Sequence, residues 1–452
     1  MPKPSDIPPC PQGLARPPSD RVVQEYKIHL ITPLFGGGVD VRMNDPSRPI
    51  RESAIRGQLR FWWRATRGRR FGHTSALSQQ EEAIFGSTQF PSPLCVEVES
   101  FASPAFVEKT AFQSGPARYA LFALQDGDQL IREGLEFRLK LTWISVRELA
   151  LRRKAQNKER LQSRREPLPP QIEDIADDLR DAVWAWVNFG GLGGRTRRGL
   201  GSLLGKEVDG KGNVTRELAP RSVAEIEVWF RSAEQRFGRP PDSAAQWPRL
   251  GEHLFYRPQA ESPVDAWLTI VALFREFRQG AIGRDQPHPG GRPGRSHFPE
   301  PETIRETIRN RDRRGGTHPP LKGVPADAFP RAEFGLPIVF QFQRNEVEQT
   351  VLYPRLGEQL SERMASPLIL KPLCLADGTA VPAIIPLDVP WFTDVDLTLG
   401  GRNNVRRTFP LSAVRRRSLA AYPNSPLAAS PDGSAIEAFL AFAQNADNFR
   451  RV

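Results

Sequence analysis

Between Gly190 and Gly201 the chain packs six glycines and three arginines into twelve residues, with no acid among them. Glycine loses more backbone freedom on ordering than any other residue, so this density belongs to neither a helix nor a strand interior. The segment must be a tight loop, and its flanks fix what it joins. Upstream, Ile175, Leu179, Val183 and Trp186 recur at helical spacing, which predicts a helix over about 172–188 that stops at Gly190. Downstream, a short strand is expected near Ser202–Leu204. A helix before the loop and a strand after it is the reverse of the dinucleotide fingerprint and of the P-loop. The Gly-Lys-Ser/Thr ending of the P-loop is also missing, so nucleotide binding is disfavoured.

The preceding residues supply the rest of a unit. Tyr26–Leu30 alternates apolar and polar residues and reads as a strand, as do Leu94–Phe101 and 136–143. Ser53 is a candidate N-cap for a helix through Ile55 to about Arg67. The charged stretch 147–170 is expected as an exposed connection. The order β-α-β-β-α, then loop and strand, is that of a ferredoxin-like or RRM-like unit. In the second half Ile226–Phe230, Ile338–Phe342, Leu368–Leu370 and Val381–Ile385 read as strands, and Val264–Phe277 as a helix. The expected fold is α+β, with two ferredoxin-like (RRM-like) domains at 22–215 and 216–452. Residues 1–21 are expected to form a disordered leader and about 279–335 a long, partly mobile Gly/Pro/Arg-rich insertion.

Charge narrows the partner. The chain has 63 basic and 52 acidic side chains, a net +11, and only 10 of the basic residues are lysine. Arginine's planar fork bonds two phosphate oxygens at once, although a GC-rich genome also inflates arginine. On a wheel of 100° per residue, Ile55, Leu59, Trp62 and Thr66 share one arc. Arg56, Arg60, Arg64 and Arg67 share an adjoining one. No acid follows Glu52 on this helix, which points to phosphate binding over a plain basic surface. Trp62 and Trp63 read as core more than as base-stacking platforms. The glycine–arginine loop offers N–H groups and guanidinium forks together, as a phosphodiester chain requires. Cys10, Cys95 and Cys374 are too scattered for a zinc or disulfide framework, so a cytoplasmic location is the default. No metal or cofactor is expected, and no apolar run is long enough to span a membrane.

Six blocks in the same order, Ile31–Gly38, Ile55–Arg64, Phe189–Gly201, Arg295–Glu300, Phe334–Ile338 and Ala365–Leu373, resemble the RAMP superfamily of CRISPR proteins. Within it they are most similar to the type of subunit numbered one in the type III-B (Cmr) effector complex. The resemblance implies two ferredoxin-like domains and a place at the end of the filament that holds the guide RNA's 3′ region. It implies guide RNA, target RNA and other Cmr subunits as partners in antiviral defence, and a non-catalytic role. The RNA contacts expected on this basis are Arg56, Arg60, Arg64, Arg195, Thr196, Arg197, Arg198 and Arg295, with Lys371 a weaker one. Gly190, Gly191, Gly193, Gly194, Gly199 and Gly201 form the glycine-rich loop. The rival class is a RAMP-type endoribonuclease using the loop carboxylate Asp40, with Asp45 next; a protein scaffold without RNA contact is the third.

Overall fold

The computed structural model describes residues 21–452 apart from 39–41, 89–91, 101–102, 113–114, 145–153, 163–174, 241–244, 289–293, 308–326, 343–348, 400–405, 416–421 and positions 123, 126, 156 and 423. The expected leader, short of its last residue, lies outside the described residues, as does most of the charged 147–170 connection.

A five-stranded antiparallel sheet organises the first half, in the order Cys95–Ser100, Glu136–Ile144, Arg21–Leu30, Leu203–Val208, Val214–Glu217. The period of two sends Tyr26, Ile28 and Leu30 to one face, where Tyr26 pairs with Leu139 and Ile28 with Phe137. Two helices cover that face. Glu52–Ala65 buries Ile55, Leu59, Trp62 and Trp63, and Ile175–Phe189 buries Leu179, Val183 and Trp186.

A second antiparallel sheet orders Leu368–Cys374, Ala380–Asp388, Phe255–Tyr256 and Arg450–Arg451. Helices Pro263–Gln279 and Ala435–Asp447 pack on it through Phe274, Phe277 and Phe439 against Leu368, Leu370 and Ile384. Ser262 caps the first of these helices by accepting from the Asp265 N–H at 3.2 Å, with Pro263 at the opening position. Both sheets follow one plan. Strand, helix, two strands, helix and strand succeed each other in the chain, and the four strands lie in space as second, third, first, fourth. A third sheet, of strands Ile338–Phe340, Thr350–Leu356, Asp394–Leu399 and Arg406–Pro410, carries its own apolar cluster around Leu352, Val395 and Leu397.

Two expectations are corrected. Ile226–Phe230 opens a helix, Ile226–Arg236, because Ile226, Phe230 and Ala233 are buried at i, i+4 and i+7, a period that five residues are too few to reveal. Ser53 is not the N-cap of the first helix: it lies inside Glu52–Ala65, which Arg51 precedes without a side-chain cap bond. Within 279–335, several described residues are buried. Phe298, Ile304 and Phe329 are buried, and Glu300 accepts from the Arg331 N–H at 2.7 Å. Glu333, wholly buried, accepts from Arg415 Nε at 2.5 Å, Ser434 Oγ at 2.8 Å and the Ile436 N–H at 3.0 Å. It thereby ties the segment to the start of the last helix. Glu333→Ala strands those donors, and urea denaturation is expected to show a loss of about 3 kcal/mol.

Candidate nucleic-acid interface

The glycine-rich loop sits where the two halves meet. Residues 32–35 hold it on one side: the Gly194 N–H donates to Phe35 O at 2.7 Å, the Gly201 N–H to Pro33 O at 2.9 Å, and Thr32 Oγ1 to Gly199 O at 2.6 Å. Across the seam, Trp267 Nε1 donates to Arg198 O at 2.7 Å. The close approaches explain the glycines. A Cβ on Gly199 would collide with the Trp267 ring, one on Gly201 with the Leu192 carbonyl, and both positions have positive φ.

Two of the three loop arginines point inward. Arg198 lies 4.8 Å over the Phe274 ring, and its guanidinium donates to the carbonyls of Arg197, Leu368 and Phe334. Arg197 donates to Ser366 O and stacks 5.7 Å from the Phe61 ring. Burial pushes Arg197 down to about 10 and Arg198 to about 9, so both stay charged at neutral pH. Arg195 differs. It holds a left-handed backbone (φ 58°) ahead of the 3-10 turn Thr196–Arg198; burial lowers its pKa too, and its buried Nε has no hydrogen-bond partner among the described residues. The N–H groups of Arg195 and Thr196 find no acceptor among the described residues. A left-handed residue followed by right-handed ones turns successive N–H groups toward one point, the geometry of an anion nest.

The helical arginines do not join this loop. Arg56 donates to Leu94 O at 2.6 Å and Phe85 O at 3.3 Å. Arg60 and Arg64 share Glu81 at 2.7 and 3.2 Å, and Arg67 pairs with Asp181 at 2.6 Å. The loop meets the helix on another side, at Gln58, Phe61 and Trp62, which with Phe189, Gly190, Thr196, Arg197 and Ile369 line a cleft of about 200 Å³. The helix that reads as acid-free receives its acids from other elements. Arg295 donates to Glu302 at 2.9 Å. Lys371, expected as a weak RNA contact, is wholly buried and donates to Gly190 O at 2.9 Å and Val187 O at 3.3 Å. Asp40 lies outside the described residues. Asp45 is a turn residue, accepting from Ser47 Oγ and the Ser47 and Arg48 N–H groups.

Trp62 and Trp63 belong to the core, and Trp63 Nε1 donates to Asp178 at 2.9 Å. Sequence reasoning missed Phe61, Gln58 and Ile369, whose place beside the loop follows only from the tertiary fold. It missed Trp267 for the same reason. Among the described residues no helix is long and apolar enough to cross a membrane.

Comparison with known proteins agrees with the resemblance read from the blocks. The RAMP superfamily model matches residues 27–203. The chain is similar to CRISPR system Cmr subunit Cmr1-2 of Pyrococcus furiosus, 28% identical over 191 residues, covering 39% of this chain and 92% of that protein. It is also similar to Cmr1-1 of the same organism, 27% identical over 156 residues, 34% of this chain and 40% of that protein. Among solved structures, the apo crystal structure of Cmr1 from Pyrococcus furiosus aligns with a TM-score of 0.48 at 17% identity, over 85% of this chain and 94% of the other. A chain of the type III-B Cmr-beta complex bound to cognate target RNA aligns with a TM-score of 0.45 at 12% identity, over 82% and 96%.

Two measurements follow from the ion pairs and the buried lysine. Glu81→Gln leaves Arg60 and Arg64 without their shared carboxylate and is expected to cost about 2 kcal/mol in urea denaturation. Burial drives the Lys371 ammonium down to about 7, below its ordinary 10.5. Above pH 7 the unfolded chain therefore keeps a proton that the folded chain has lost, and stability rises with pH. Relative to Lys371→Met, the wild-type chain is expected to gain about 2 kcal/mol between pH 7 and 9. A constant difference across that range would contradict the assignment.

Proposed function

We propose that this chain, whose residues 27–203 match the RAMP superfamily and whose relatives include Cmr1 subunits, is a non-catalytic RNA-binding subunit of a type III-B CRISPR effector complex. In this reading it caps the end near the guide RNA's 3′ region, helps capture target RNA, and works in the cytoplasm beside other Cmr subunits. Its two sheets are read as the two ferredoxin-like domains, 22–215 and 216–452, with the third sheet built from two excursions of the second domain, one between its first helix and next strand and one between Ala380–Asp388 and the last helix.

The observation that carries the reading is the nest at Arg195–Thr196. Two amides without an acceptor among the described residues, and a guanidinium whose Nε has none, lie on a loop held by the N–H groups of Gly190, Leu192, Gly194, Arg198, Gly199 and Gly201. A rigid loop with unmet donors suits a phosphate, because little ordering cost remains to be met on binding. Contacts of this kind position the backbone and read no base, so weak sequence preference is expected. Arg197, Arg198 and Lys371 support the site by fixing the loop. Arg56, Arg60, Arg64 and Arg295 are engaged within the protein and would contribute only as a diffuse positive surface.

Binding of single-stranded RNA at several salt concentrations tests this. Arg195→Gln is expected to flatten the slope of log affinity against log salt by about 0.7, the loss of one phosphate contact. Arg198→Gln is expected to lower stability and leave the slope of the folded protein unchanged. An Arg195→Gln slope equal to wild type would refute the assignment.

A further inference from the structure

Away from the glycine-rich loop, a cleft of about 730 Å³ opens between the edge of the second sheet, the start of the last helix and Arg239, Pro240, Ala245, Arg249 and Glu252. That volume falls within the range of sites that hold a ligand or an inserted side chain. Arg249 lines it. This residue sits in the two-residue strand Arg249–Leu250, paired in register with Asp388 and Leu387. It is only 4% exposed, and its guanidinium lies 5.1 Å over the Trp247 ring. Among the described residues its Nε and Nη2 have no hydrogen-bond partner, and neither does the indole Nε1 of Trp247. Buried donors of this strength are almost always satisfied, and an unsatisfied arginine fork in the wall of a cleft points to an anion that completes it.

The other charged groups of the cleft are largely occupied. Arg415 is held by Glu333 at 2.5 Å and lies 4.2 Å over Trp391. Glu437 accepts from Ser430 Oγ at 3.0 Å. Asp388 makes no ion pair with Arg249 within 4.0 Å, and burial together with Glu252 raises its carboxyl above the usual range against the opposing pull of Arg249.

We propose that this cleft docks a polypeptide segment that inserts an Asp or Glu carboxylate, flanked by apolar residues, onto the open fork of Arg249. The wall decides between a peptide and a nucleic acid. Pro386, Leu387, Val389, Pro390 and Ile436 present aliphatic surface. The one aromatic ring in the lining, Trp391, is already covered by Arg415 and offers no platform for a base. Glu252, Asp388 and Glu437 balance Arg239, Arg249 and Arg415 in the lining, so the cleft has no net positive charge to hold a run of phosphodiesters. A single carboxylate among apolar residues meets the one open fork and the aliphatic wall together. The inference stands apart from the RNA reading and uses none of its residues.

The full chain labelled with 5-fluorotryptophan tests it, because Trp247 lies against Arg249. Its fluorine resonance is identified by Trp247→Phe. The probes are a capped Leu-Pro-Glu-Pro-Leu peptide, its Gln counterpart and a uridine hexanucleotide. The Glu peptide is expected to shift the Trp247 resonance saturably and the Gln peptide to bind at least tenfold more weakly. Arg249→Gln should weaken the Glu peptide at least tenfold while the other eight tryptophan resonances stay in place. Should that variant fail to fold, Arg249→Lys, which keeps the charge and loses the planar fork, is expected to weaken binding severalfold. Equal binding of the Glu and Gln peptides, no saturable shift with either, or undiminished binding by the Arg249 variants would overturn the proposal. Displacement of the Glu peptide by the hexanucleotide would overturn it in favour of a phosphate site.

Discussion

The seam between the two halves rests on cationic donors turned toward main-chain carbonyls. Lys371 reaches from the second sheet to Val187 O and Gly190 O, at the C-terminal end of the Ile175–Phe189 helix. The last carbonyls of a helix lack intrahelical partners and carry the negative end of its dipole, so the Lys371 amine is bonded there, although burial outweighs the favourable field and lowers its ammonium to about 7. Arg198 and Arg197 act in the opposite direction, from the loop to the carbonyls of residues 334, 366 and 368. Buried charge is tolerated only when hydrogen-bonded. These contacts satisfy that condition and fix the loop relative to both sheets at once.

The arginine excess has a related explanation. Net +11 describes the whole chain, yet locally the cations of the first helix and the turn after it are matched by carboxylates from distant segments. Asp181 receives Arg67 at 2.6 Å and Arg236 at 3.0 Å. Arg69 meets Glu234 at 3.5 Å and also donates to Gly238 O. The helix, the Thr74–Phe85 helix and Ile226–Arg236 are thereby cross-linked around one ridge. Around this ridge, among the described residues, little unpaired positive charge remains for an external anion.

Much of this fold was legible in the sequence where period and punctuation agreed. The alternation at Tyr26–Leu30 and at Glu136–Ile144, and the 3.6 period at Ile175–Phe189, gave elements of the right kind in the right place. The failures have physical causes. Ile226–Phe230 was too short a window to separate a period of two from one of 3.6. The described parts of 279–335 bury Phe298, Phe329 and Glu333 as isolated anchors that a Gly/Pro/Arg-rich composition conceals. The helical arginines were read beside their sequence neighbours, and Glu81 and Asp181 are not neighbours in sequence. Lys371 lay on a strand whose complete burial only the second sheet's partners determine.

The outer face of the first sheet completes the case for the loop. RRM-type recognition stacks bases on aromatic side chains of an open sheet face. Here that face carries Lys27, His29, Glu97, Glu136, Lys140, Lys206 and Glu217, joined as Lys27–Glu136 at 2.9 Å, Lys140–Glu97 at 3.5 Å and Lys206–Glu217 at 3.1 Å. Opposite charges paired across neighbouring strands stabilise a solvated face and offer neither a stacking surface nor net positive charge. The aromatic residues of these strands, Tyr26, Phe137 and Trp143, point into the core. With the sheet closed to bases and the helix arginines engaged by carboxylates and carbonyls, the proposed RNA contact falls to the Arg195–Thr196 turn, where unmet donors and a fixed loop coincide.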